Sequence, residues 1–164
     1  MQTGSWECTR EGLRHARTLI SFQRFPKPRV PFATDSVRSY GALLPERAGR
    51  EILLPLPDDE AFWIGAMLSN GDADDVALHA NLADGRRIAL SGARQESLLT
   101  ILGFTDDSVF RPLTCPPVRA IEVLVSSDEV SVTIVAPDRF TQLTGRDGPE
   151  PLHDDSAYKG WRLP

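Results

Sequence analysis

Cysteine is almost missing from this chain: Cys8 and Cys115 are the only two among 164 residues. Two are too few for a disulfide framework, and both are read as reduced. Lysine is scarce as well, with Lys27 and Lys159 set against sixteen arginines. Codon usage accounts for that bias as readily as a need for bidentate pairing does. No apolar run reaches eighteen residues, and Met1-Gln2-Thr3-Gly4-Ser5-Trp6-Glu7 lacks the basic-then-apolar pattern of a signal peptide. The expectation is a soluble, cytoplasmic protein without a membrane segment.

Several chemistries lack their signatures. There is no Gly-x-Ser-x-Gly turn for a serine nucleophile, and no spacing pairs Cys8 or Cys115 with a histidine. Rossmann and Walker glycine loops are absent, which excludes a dinucleotide enzyme. Arg24 to Arg29, taken with Asp35-Ser36 and Gly41, has the wrong serine-to-glycine spacing for cyclic-dinucleotide recognition. Three scattered histidines do not converge on a metal. The run from Asn70 to Asp75 places oxygens at alternate positions like a calcium loop. It nevertheless has Asp75 where glycine is needed and Asn81 where the closing Glu is needed, so it reads as an acidic turn. No metal and no cofactor are expected, and no repeat of fixed period is visible.

What is present suits one globular domain with short arms: 41% of residues are hydrophobic and 25% are charged. The net charge of -5 conceals a division. Residues 1–40 carry seven basic against three acidic side chains and the remainder eleven against twenty, so the first part is +4 and the rest -9. The seven cations are dispersed among apolar residues, so nucleic acid is not the expected partner. Opposite charge instead suits an arm that docks on its own body or on a neighbouring subunit. The expected organisation is a basic, proline-containing N-terminal arm over 1–40, a β body over 41–136 and a C-terminal tail over 137–164.

Periodicity predicts an all-β fold, an antiparallel sandwich or flattened barrel of seven or eight short strands with at most one or two short helices. Residues 9–17 lean to helix and 18–24 to strand. Three prolines between Phe25 and Phe32 forbid a helix interior there. Strands are predicted over 51–56, 61–69, 76–82 and 86–90. A three-residue loop at Ala83-Asp84-Gly85 pairs Ala80 with Ile88 and Leu78 with Leu90. Turning at Asn70-Gly71 then adds Phe62, Ile64, Ala66 and Leu68 to the same apolar face, as neighbours in one sheet. A second hairpin opposes Ile121, Val123 and Val125 to Ile134, Val132 and Val130 across a four-residue loop. Between the hairpins, 93–103 is predicted to form a short helix with Leu98, Leu99 and Leu102 on one side, stopped by Gly103.

That register puts Trp63 opposite His79 on the other face, beside Met67, Asn81 and Arg87. An aromatic platform next to polar groups suits a sugar or small ligand, with Trp63, His79, Asn81 and Arg87 as the binding set and His79 as the candidate proton-transfer group. Arg24, Arg29, Trp161 and Arg162 are the candidate interface anchors. Two function classes follow. One is a non-catalytic binding or assembly module acting through protein contacts of its arms, self-association included. The other is a small β-barrel enzyme or ligand-binding protein with its pocket around Trp63 and His79.

Overall fold

The computed structural model describes residues 6–28, 32–34, 37–68 and 76–152. Its elements run β1 (Trp6–Cys8), β2 (Leu13–His15), β3 (Thr18–Pro26), β4 (Ala42–Leu43), β5 (Glu46–Ala48), β6 (Glu51–Pro55), β7 (Glu60–Met67) and β8 (Val76–Leu82). They continue as β9 (Arg87–Leu90), β10 (Ala93–Gln95), β11 (Leu98–Ile101), β12 (Gly103–Asp106), β13 (Val109–Pro112), β14 (Val118–Val125), β15 (Asp128–Val135) and the helix α1 (Pro137–Thr144). The protein is all-β with one helix among the described residues. Strands number fifteen there, not seven or eight, because short hairpins replace segments expected as helix or arm.

Two sheets carry the structure. The first has the order β1-β2-β3-β7-β11-β10, and β4 lies beside the second half of β3. The second runs β5-β6-β15-β14-β8-β9, antiparallel throughout except for the parallel β6–β15 pair. The ribbon β12–β13 stands apart from both, bridged to β7 where Phe62 N–H donates to the Leu113 carbonyl at 3.0 Å.

Strand alternation decides what each sheet buries. Ile20, Phe22, Phe62 and Ile64 from the first sheet join Leu78, Ala80, Ile121, Val123 and Val132 from the second in one buried core. Phe22 and Phe62 meet edge to face, 6.1 Å between centroids. Residues 6–26, expected as an arm, supply β1 to β3 of the first sheet, with Leu13, Ile20 and Phe22 at 0% exposure.

The β8–β9 register is the expected one, Leu78 facing Leu90 and Ala80 facing Ile88, with Gly85 at φ 94 in the loop. The β14–β15 register differs by two residues: Ile121 faces Val132 and Val123 faces Val130. A two-residue turn, with Ser126 at φ 55, replaces the four-residue loop. A shift of two preserves the faces, so the buried set is as predicted.

Three expectations are corrected. Residues 93–103 are the β10–β11 hairpin, not a helix. Glu96 takes φ 55 at its turn, and the β-branched Thr100 and Ile101 favour the strand that follows. Residues 9–17 hold β2 rather than a helix; Gly12 at φ 146 and Ala16 at φ 52 turn the chain instead. Finally, β7 and β8 do not pair. Strand β7 lies between β3 and β11, while β8 lies between β14 and β9 in the other sheet. Their apolar faces meet across the core. The Asn70 to Asp75 turn itself falls outside the described residues.

Candidate functional site

Register lays out the outer face of the second sheet as a grid over β15, β14, β8 and β9. One row reads Thr133, Ala120, Asn81, Arg87 and the next Ser131, Glu122, His79, Ala89. A third row, one strand shorter, reads Glu129, Leu124, Ala77. Helix α1 covers only the other half of this sheet, packing on β5 and β6 with Phe140 buried. In the remaining half Arg87, Ala89, Glu129 and Ser131 are exposed, His79, Asn81, Glu122 and Thr133 half-buried, and Ala120 buried, and among the described residues no helix packs on it. Leu124 is exposed within it.

Its charge is organised by one long side chain. Arg87 reaches from β9 across β8, and its Nε donates to Glu122 Oε2 at 2.6 Å. Arg87 foremost, with Asn81 also donating, holds the Glu122 carboxyl below the ordinary glutamate range against the opposing effect of its partial burial. His79 stands directly opposite Glu122. Three of the four residues read from the sequence as a binding set thus come together, and their common partner, Glu122, was not among them. The signal for it was present, since Glu122 alternates with Ile121 and Val123 of the second predicted hairpin and so falls on its polar side. What the chain order could not show was that β14 is the neighbour of β8.

Trp63 is not part of this face. It is fully buried on the outer side of the first sheet, packed with Phe25, Val37 and Ala61 and flanked by Phe32, Tyr40 and Leu102. Its Nε1 donates to the Arg38 carbonyl at 3.4 Å. Trp63 and His79 therefore face outward from different sheets on opposite sides of the core, so the single pocket expected around them is not formed. Met67 stays on the Trp63 side and is exposed.

Arg24, expected at an interface, is buried instead. Its Nε donates to Glu60 Oε1 at 2.6 Å, and one terminal nitrogen donates to Glu60 Oε2 at 2.5 Å and to the Glu150 carbonyl at 2.7 Å. The other interface candidates, Arg29, Trp161 and Arg162, lie outside the described residues, as does the cluster His153-Asp154-Asp155.

Another polar contact was not anticipated. His15 Nε2 donates to Asp128 Oδ2 at 2.7 Å, tying β2 of the first sheet to β15 of the second, with the Trp6 ring 4.8 Å from the imidazole. Burial pushes the thiols of Cys8 and Cys115 up, the opposite of what an attacking thiolate requires. Among the described residues no three His, Cys, Asp or Glu side chains are grouped to hold a metal ion, and no helix is long and apolar enough to cross a membrane. Comparison with protein-family models, with curated proteins and with solved structures finds no match to this chain.

Proposed function

We propose that this chain is a non-catalytic binding module working through protein–protein contact, that its contact surface is the uncovered half-face around His79, Asn81, Arg87 and Glu122, and that the occupant is a second copy. The observation that carries this reading is the placement of both charge signs side by side on one open sheet face. Arg87 stands next to Glu122, with Glu129 in the adjoining row. A surface of that kind is complementary to itself under a two-fold rotation, because the cation of one copy meets the anions of the other. Leu124, 37% exposed, adds apolar area within the same grid. A patch only four strands wide belongs with small, reversible interfaces rather than obligate ones.

Light scattering on a size-exclusion column over a range of concentrations tests this. The intact chain is expected to show a concentration-dependent dimer, and Leu124→Asp to remain monomeric with an unchanged unfolding midpoint; Arg87→Glu should also remain monomeric, with a slightly lower midpoint because its pair with Glu122 is lost. Arg87 keeps Glu122 ionised below the ordinary glutamate range, so the dimer should persist there and weaken only at lower pH, once Glu122 is protonated. A wild-type chain monomeric at every concentration, or variants that dimerise like it, overturns the proposal.

A further inference from the structure

The open half of the second sheet holds unequal numbers of charges. Its grid carries one cation, Arg87, and two anions, Glu122 and Glu129. Arg87 and Glu122 pair with each other at 2.6 Å, which leaves the exposed Glu129 as the excess. Neighbouring charges are engaged or distant. Asp128 takes the His15 hydrogen bond at 2.7 Å, and Arg86 in the β8–β9 turn is held by Asp84 and Asp106. Arg119, in the β14 bulge beyond the Ala120–Asn81 row, lies about 10 Å from His79 along the sheet, near one Debye length.

His79 stands inside this grid and decides its balance. Glu122 of β14 flanks it on one side and Ala89 of β9 on the other, with Ala77 and Asn81 as its neighbours along the outer face of β8. It is half-buried and makes no hydrogen bond among the described residues, so its ring nitrogens are left for a facing surface. An imidazole changes charge between about pH 5 and 8. While His79 is neutral the grid has a net charge of -1, and once it is protonated the charges balance.

We infer that self-association through this face is proton-gated, with His79 as the gate. The inference rests on the reading of the half-face as the contact between two copies. Facing two copies with neutral imidazoles places two excess negative charges in one interface, and like charges there oppose association. One proton per copy, taken up at His79, removes the excess and leaves each imidazolium beside carboxylates that accept its hydrogen bonds. Linkage fixes the sign: a dimer that binds protons more tightly than separate copies tightens as pH falls through the imidazole range. The gain ends only at lower pH, where Glu122, kept ionised by Arg87, takes its own proton.

The test is sedimentation equilibrium of the intact chain at about pH 5.5 and about pH 8. The wild-type dimer is expected to be about tenfold tighter at the lower pH. His79→Gln, which keeps a polar side chain and removes the titration, should hold the weaker affinity at both values. His79→Lys, charged throughout, should hold the tighter one at both. His15→Gln should keep the wild-type pH dependence, because His15 belongs to the first sheet. A wild-type dimer no tighter at the lower pH, a pH dependence that survives in His79→Gln, or one that His15→Gln abolishes overturns the inference and leaves the half-face reading standing. A wild-type chain monomeric at both values overturns the two together.

Discussion

Arg24 and Glu60 are the most consequential single residues in this fold, because their charges sit where water does not reach. The Glu60 side chain is 1% exposed and that of Arg24 10%. Each is viable only through the other: two guanidinium nitrogens meet two carboxylate oxygens, and the Glu150 carbonyl takes a further donor. Removing one partner leaves an uncompensated buried charge, so Glu60→Leu is expected to cost about 3–5 kcal/mol in urea unfolding. The double variant Arg24→Met with Glu60→Leu should recover most of that loss, since apolar pairs of similar volume often replace buried ion pairs without penalty. A double variant as unstable as Glu60→Leu alone would show that the hydrogen bond to Glu150 carries the effect. None of this was legible in the sequence. Arg24 reads there as one of seven dispersed cations, and Glu60 lies 36 positions away with nothing marking it as the partner.

Among the elements, α1 decides which part of the second sheet is open. Its ends follow general rules, with Pro137 in the first turn and Gly145 at φ 72 closing the helix, the Gly145 N–H donating to the Thr141 carbonyl at 2.9 Å. Both signals stand in the sequence, at a spacing a helix needs, within a segment that reads overall as a charged, proline-containing tail. Gly145→Ala places a Cβ in the left-handed region with nothing within 4 Å to clash, so only the backbone cost remains. A loss of about 1 kcal/mol in thermal or urea unfolding is expected, and no loss would mean that the helix end frays without consequence. The hairpins behave differently. Leu78 facing Leu90 was legible because a Gly-containing three-residue loop fixes the pairing. The β14–β15 turn was misjudged by two residues because Ser126 adopts a positive φ usually reserved for Gly or Asn. The 93–103 hairpin was hidden because Leu98, Leu99 and Leu102 share one side at helical spacing, whereas in β11 Leu98 and Leu99 lie on opposite faces.

At the scale of the whole molecule the two sheets share one core, so neither has a complete hydrophobic interior without the other. Their unfolding is therefore expected to coincide. Tryptophan fluorescence, to which Trp6 and Trp63 of the first sheet contribute, should give the same urea midpoint as far-UV circular dichroism, which reports both sheets. Two separated transitions would show that the sheets are independently stable. The same shared core explains where sequence reasoning ended. Alternation by itself determined that the chain is all-β, which side of β7, β8, β14 and β15 is apolar, and that His79, Asn81 and Arg87 share a polar face, because a strand turns every second side chain the same way whatever its neighbours are. Only the tertiary structure decided that β7 and β8 belong to different sheets, that Trp63 and His79 therefore point away from each other, and that Glu122 completes the face. Two strands burying the same residues show the same pattern whether they lie side by side in one sheet or face each other across a core, and long-range pairing alone separates the two arrangements.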